Sequence, residues 1–197
     1  MENLAILVPL KAFSIAKSRL RGAGIADVDE MARSLAQRVI SATRPQTLYV
    51  ACESPEVALF ARDLGAQVIR SNASNLNEAV TNSYRILAAH FSYLVVAHGD
   101  LRDPEGLGRF APPPGVTIVT DTARRGTNVL ALPTGIDFNF HFGVDSAIAH
   151  EAEARRLHLD VRLEHDSPWS VDIDEPHDLV DERKSRGSRD PLDILAP

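Results

Sequence analysis

The sequence predicts a single α/β domain with a mostly parallel central sheet and helices on both faces. Three observations carry that prediction. A length of 197 residues suits one such domain and is short for two. Short apolar runs alternate with amphipathic stretches from Leu4 to about Thr120, the order of a doubly wound sheet. Finally, Leu94-Val95-Val96-Ala97 shows no polar alternation, which is how a strand reads when both of its faces are covered.

Composition narrows the function classes. Apolar content of 44% and charged content of 24% are those of an ordinary globular protein. A formal net charge of −6 argues against a general nucleic-acid binder, yet leaves room for a basic pocket that holds one nucleotide. The single cysteine, Cys52, cannot form an internal disulfide; it follows Leu48-Tyr49-Val50-Ala51 and is expected as a buried strand thiol rather than a nucleophile. The run from Leu4 to Leu10 is too short to span a membrane and has no basic segment before it. It is expected as the first strand of a cytoplasmic protein without a membrane partner, broken by Pro9.

The elements follow in order. Met31, Leu35, Val39 and Ala42 recur at helical spacing and predict a helix over residues 29–43, capped by Asp27 or Asp29 and ended by Pro45. Residues 47–51 read as a second strand, 55–64 as a second helix with Gly65 as its C-cap, and 66–70 as a short third strand. A polar loop over residues 71–77 opens onto a helix over 78–90, where Asn77 read alone is an N-cap. Helix starts also collect anionic ligand groups, because their first amides lack partners. After the central strand and a Pro-Gly loop at residues 112–115 come strands over 116–120 and 129–132. The aromatic segment 138–143 ends in Gly143, and a helix over 146–157 begins at Asp145 or Ser146.

Candidate chemistry lies after the strands. Lys11, Lys17 and Arg19 follow strand one with no acid until Asp27; three such cations suit a triphosphate, and a solvated basic loop is the plainer alternative. No GxxxxGK[ST] and no GxGxxG is present, so this is neither a P-loop nor a dinucleotide fingerprint. Asp100 stands behind Gly99 at the carboxyl end of the central strand, where ligand crevices of open α/β sheets lie; from that stretch alone a turn cap is an equal reading. Gly126, Thr127 and Asn128 offer close backbone approach and short hydrogen-bonding groups at a strand start. Asp172 and Asp174 are two apart, so in a strand they project together, and a divalent cation would relieve their repulsion. Taken in isolation, the preferred reading of that pair is an exposed acidic turn, with Asp174 capping a helix over residues 176–183. One carboxylate from a central strand and two from a late segment sharing magnesium ions would fit phosphoryl or nucleotidyl transfer.

The ordered set formed by Val8-Pro9-Leu10-Lys11 with Ala16-Lys17-Ser18-Arg19-Leu20, Leu76-Asn77, Gly99-Asp100-Leu101, Gly126-Thr127-Asn128, Phe142-Gly143 with Ser146 and His150, and Asp172-Ile173-Asp174-Glu175-Pro176-His177-Asp178-Leu179 spans nearly the whole chain. It resembles the guanylyltransferases of coenzyme F-420 biosynthesis, named for 2-phospho-L-lactate or phosphoenolpyruvate. The resemblance implies a single-domain nucleotidyltransferase fold of the GT-A type over residues 1–183, with an extension over 184–197 whose Leu192-Asp193-Ile194-Leu195 patch is expected on the surface or at a homodimer contact. It implies transfer of GMP from GTP to a phosphorylated three-carbon acid, with release of pyrophosphate. Asp100, Asp172 and Asp174 would be the catalytic residues and hold two magnesium ions. Thr127, Gly143 and Ser146, with Asn128 beside them, would hold the acceptor's phosphate and carboxylate. Lys11, Lys17 and Arg19 would face the triphosphate and Asn77 the guanosine.

Two departures from the family pattern bear on the acceptor. Arg102 stands where proline commonly follows Gly-Asp-Leu, and Thr122-Ala123-Arg124-Arg125 replaces a glycine-richer stretch. Phospholactate, phosphoenolpyruvate and 3-phosphoglycerate are all open as acceptors. Alternatives outside this activity are a cytidylyl- or molybdopterin guanylyltransferase, a glycosyltransferase, or an inactive nucleotide-binding relative; retention of all three carboxylates speaks against the last.

Overall fold

Alternate residues of each central strand are buried on opposite faces of one sheet. The computed structural model describes residues 3–179. Its seven strands run in the order β3-β2-β1-β4-β6-β5-β7. They are β1 (Leu4–Leu10), β2 (Thr47–Cys52), β3 (Gln67–Arg70), β4 (Tyr93–Ala97), β5 (Val116–Thr120), β6 (Thr127–Pro133) and β7 (Val161–Glu164). β1 pairs with β2 and β4 in parallel, as do β2 with β3 and β5 with β7. Only β6 runs against its neighbours β4 and β5.

The two faces are covered by different helices. Ile6, Val8, Val50 and Val95 point to the layer formed by α2 (Val28–Ala42) and α3 (Pro55–Asp63), with Trp169 at its edge. Leu7, Ala51, Leu94 and Val96 point to α4 (Leu76–Leu87), α5 (Ser146–Arg156) and the aromatic segment Phe138, Phe140 and Phe142. Period-two alternation with apolar residues on both faces is what the uninterrupted run at residues 94–97 signals. A third, smaller cluster joins Leu20 of the short helix α1 (Ser18–Gly22) to Val28, Leu35 and Ile173.

Several local expectations change. Pro9 does not break β1, which continues to Leu10 in register with Cys52; pairing with β4 stops at Leu7, so the missing proline amide lies beyond that ladder. α4 begins two residues earlier than its periodicity suggests. Asn75, not Asn77, is its cap, and the Asn75 side chain accepts from the Glu78 amide at 3.0 Å. Asp27 and Asp145 stand at the cap positions of α2 and α5 in left-handed backbone, but neither side chain bonds the helix amides. The Gly65 reading stands: it follows α3 with φ 84°, and its amide reaches back to the Arg62 carbonyl at 2.8 Å. β7 has two partly exposed and two exposed residues, too polar a pattern to be recognised as a strand. Half of the helix expected over residues 176–183, and the whole extension 184–197, lie outside the described residues.

Removing the α4 cap with Asn75→Ala is expected to cost about 1 kcal/mol. In a chain of this size that corresponds to a fall of about 2–4 °C in Tm, read by calorimetry or circular dichroism.

Candidate functional site

Strand order reverses between β1 and β4: β2 and β3 lie on one side of β1, and β4 begins the other half. A crevice opens at such a switch point, beyond the carboxyl ends of the strands. Here it is a cleft of about 600 Å³, within the usual range for a small-molecule site. Lys11, Phe13 and Lys17 line it after β1, Cys52 at the end of β2, Ser71 after β3, and His98, Gly99 and Asp100 after β4. Asp172 and Asp174 complete its wall. Cys52 is buried, and burial raises its thiol pKa, so it serves as packing.

The two acidic segments are brought together by backbone pairing. Leu101 and Asp172 form an antiparallel bridge; the Ile173 amide donates to the Asp100 carbonyl at 3.1 Å and the Arg102 amide to the Val171 carbonyl at 2.8 Å. Asp172 therefore belongs to an isolated bridge rather than to the exposed acidic turn preferred from its spacing. The extended backbone still sends Asp172 and Asp174 one way and Ile173, fully buried, the other. Asp178 then fixes the next turn, accepting from the amides of Asp174 at 3.0 Å and Glu175 at 2.7 Å. It takes the place of the capping role expected of Asp174.

Lys17 is the counterion of the cluster. Its backbone is left-handed at φ 58°, and its ammonium, on a side chain only 5% exposed, pairs with Asp100 Oδ2 and stands 3.7 Å from Asp174 Oδ1. Arg19 reaches the same carboxylate from solvent, donating to Asp174 Oδ2 at 2.6 Å and standing 3.2 Å from Glu175. Lys11 lines the cleft with an exposed side chain. All three predicted cations thus face the carboxylates or the cleft, while Asn77 does not line it. Its amide clamps the Phe142 backbone instead, donating to the carbonyl at 3.0 Å and accepting from the N–H at 2.6 Å.

Asp172 has its pKa raised, first by burial and then by the neighbouring Asp100 charge. Asn128 partly offsets this, donating from Nδ2 to Asp172 Oδ1 at 3.3 Å and to the Trp169 carbonyl at 3.1 Å. Asn128 is therefore committed to supporting Asp172. His98, Asp100 and Asp172 each offer one ligand-capable atom, all within 4.8 Å of one another. Sequence reasoning passed over His98, whose only signal was its place two residues before Asp100 at a strand end.

Thr127, Gly143 and Ser146 gather beside this cluster, because β6 starts where β4 ends: the His98 amide donates to the Asn128 carbonyl at 3.0 Å. Phe142 leans on the His98 ring at a centroid distance of 5.6 Å. Gly143 takes φ 130°, a conformation that favours glycine, and its carbonyl accepts from the Ser146 amide at 3.2 Å. His150 is wholly buried behind Thr127. Its Nε2 accepts from the His141 amide at 2.9 Å, so the proton of the neutral ring sits on Nδ1 and is donated to Thr127 Oγ1 at 3.0 Å. The Thr127 hydroxyl hydrogen is thereby left to be given elsewhere. Of the two departures, Arg102 is held through its backbone, its carbonyl accepting from Arg38. The Arg125 guanidinium pairs with Asp145 at 2.5 Å, one residue before Ser146.

A doubly wound sheet with β6 antiparallel and an acid-and-lysine cleft at its switch point, together with the relatives described next, define the chain as a nucleotidyltransferase. A nucleotidyl transferase from Methanothermobacter thermautotroptrophicus has the same fold, with a TM-score of 0.66 at 15% identity, covering 93% of this chain and 97% of that one. A CMP:2-keto-3-deoxy-manno-octonic acid synthetase structure superposes with a TM-score of 0.58 at 13% identity, covering 94% and 98%. The sequence pattern of the family described as guanylyl transferase CofC like matches residues 4–183, and the chain belongs to that family. A phosphoenolpyruvate guanylyltransferase of Chloroflexus aggregans is 30% identical over 191 residues, covering 89% of this chain and 95% of the relative. One of Roseiflexus castenholzii is 33% identical over 187 residues, covering 90% and 87%. Among the described residues no helix is long and apolar enough to cross a membrane.

Burial lowers the His150 pKa from 6.5 to about 3, with the nearby rings of His141 and His98 adding to the effect. Folding thus selects the neutral ring. The stability it contributes is complete above the unfolded pKa and is lost as pH falls from 6.5 towards 3. Between about pH 8 and pH 5 this one group is expected to remove about 2 kcal/mol. In urea denaturation across that range, His150→Asn should flatten the decline relative to wild type by a similar amount.

Proposed function

We propose that the chain transfers GMP from GTP to a phosphorylated three-carbon acid, as in coenzyme F-420 biosynthesis, with phosphoenolpyruvate the first acceptor to test. The observation that carries this reading is the convergence of Asp100, Asp172 and Asp174 around Lys17 in a cleft at the switch point. The relatives named phosphoenolpyruvate guanylyltransferase support the choice of nucleotide and acceptor.

The acidic groups fit the divalent cation that the resemblance implies, magnesium. Asp100 splits its oxygens: Oδ2 takes Lys17, while Oδ1 is buried with no hydrogen-bond partner. Burial and the Asp100 charge disfavour the Asp172 anion, and a nearby divalent cation would offset both. Asp100, Asp172 and Asp174 would hold the cations, which when bound would neutralise charge on the triphosphate and the departing pyrophosphate.

In the reaction, an acceptor phosphate oxygen attacks the α-phosphorus of GTP in line. The bond from that phosphorus to the bridging oxygen breaks, and pyrophosphate leaves with its electron pair. The attacking oxygen is already an anion, so no general base is required. The chain's task is to hold two anions against their repulsion. Lys17 and Lys11 face the triphosphate, with Arg19 at the rim. Thr127, whose hydroxyl His150 orients as a donor, and the Gly143–Ser146 turn receive the acceptor's phosphate and carboxylate. Asn77 acts on this pocket through Phe142 rather than by touching the guanosine.

Incubating the protein with GTP, magnesium and each of phosphoenolpyruvate, 2-phospho-L-lactate and 3-phosphoglycerate, with products identified by mass, is expected to give a guanylylated acid and pyrophosphate with at least one. Formation of a cytidylylated product, or hydrolysis of a sugar nucleotide in a parallel panel, would overturn the reading. Asp172→Ala is expected to abolish turnover while retaining a cooperative unfolding transition. Near-normal activity in that folded variant would remove the metal assignment.

A further inference from the structure

His98 lies on the cleft wall between Asp100 and the start of β6, yet neither the packing nor the reaction above gives its ring nitrogens a task. Its Nε2 is sealed from solvent and meets no hydrogen-bond partner, as does Oδ1 of Asp100 two residues away. Two orphaned polar atoms so close in one wall are costly unless something between them satisfies both. With Asp172 they form a group whose ligand-capable atoms lie within 4.8 Å of one another. Donors about 2.1 Å from one octahedral ion stand about 3.0 Å apart when adjacent and about 4.2 Å when opposite, so the three would draw in by less than about 2 Å.

We propose that His98 donates a ring nitrogen to one of the divalent cations, completing a mixed nitrogen–oxygen site with Asp100 and Asp172 that favours a first-row transition metal over Mg²⁺. The inference rests on the cation reading given above and adds a ligand and a preference to it. Three carboxylates alone present hard oxygen, which suits Mg²⁺; an imidazole in the set favours Co²⁺ or Zn²⁺, because nitrogen binds these ions far better. Lys17 does not compete for the site, since its ammonium engages Asp100 through Oδ2 and leaves Oδ1 free. Phe142, against the imidazole, restricts where the ring can go and holds it towards the carboxylates.

The test uses the full-length, metal-free protein and two readouts that do not depend on turnover. In calorimetric titrations, wild type is expected to bind Co²⁺ more tightly than Mg²⁺. His98→Asn should weaken Co²⁺ by at least the roughly tenfold that loss of a supporting partner costs a metal site, with Mg²⁺ affinity unmoved. In pulsed electron paramagnetic resonance, Mn²⁺-loaded wild type should show one directly bound nitrogen, absent from His98→Asn. Equal weakening of both ions, no weakening of either, or no nitrogen coupling in wild type would overturn the proposal. The wild-type resonance measurement decides the matter even if His98→Asn fails to fold. The outcome is separable from the parent reading: guanylyl transfer with no nitrogen at the metal removes His98 alone, whereas a nitrogen-bound cation with no guanylyl transfer removes the catalytic reading and leaves the site.

Discussion

A short antiparallel contact between residues 100–102 and 171–173 holds the site together. Two backbone hydrogen bonds, which together make one bridge, bring Asp100 against Asp172, although three of the seven strands lie between them along the chain. Left alone, this contact is electrostatically unfavourable, since it forces two carboxylates together in a partly desolvated wall. Three features offset the cost. Ile173 is completely buried in the cluster of Leu20, Val28 and Leu35 and anchors the segment by apolar burial. Lys17 supplies a nearly buried positive charge to Asp100, and Asn128 donates to Asp172. The residual strain appears as the raised pKa of Asp172, the state in which a cation is most welcome.

The two sides of the cleft are built on different principles. On the side of Lys11 and Arg19, groups stand ready but open: Lys11 is exposed and Arg19 reaches in from solvent. On the side of Thr127 and Gly143 the polar groups are already wired into the core. Thr127 is fixed by His150, His150 by His141, and the 142–146 turn by Asn77. Such wiring orients donors before a ligand arrives and lowers the entropy lost on binding. The arginines that depart from the family pattern are themselves tied down, Arg125 to Asp145 and the Arg102 backbone to Val171 and Arg38.

Local chemistry made most of the architecture legible. The run at residues 94–97, the helical spacing of Met31, Leu35 and Val39, and Gly65 after α3 each reflect a rule that acts over a few residues, and each corresponds to an observed element. The errors are equally local. Asn75 and Asn77 are equivalent cap candidates on propensity, and the choice fell to Asn75 because Phe142, far along the chain, engages Asn77. β7 carries too many polar residues for its pairing with β5 to be recognised in advance.

By itself, then, the sequence determined the α/β class, the parallel half of the sheet, the placing of cations and carboxylates after strands and, through an ordered set of motifs, the family. These follow from periodicity and residue type, which are properties of neighbouring positions. Only the tertiary structure decided that Asp172 meets Asp100 through a bridge, that Lys17 lies between Asp100 and Asp174, that Asn128 and Asn77 support rather than line the cleft, and that His98 faces the carboxylates. Those are relations between distant segments. They are set by which apolar side chains find a common core, and no local pattern encodes them.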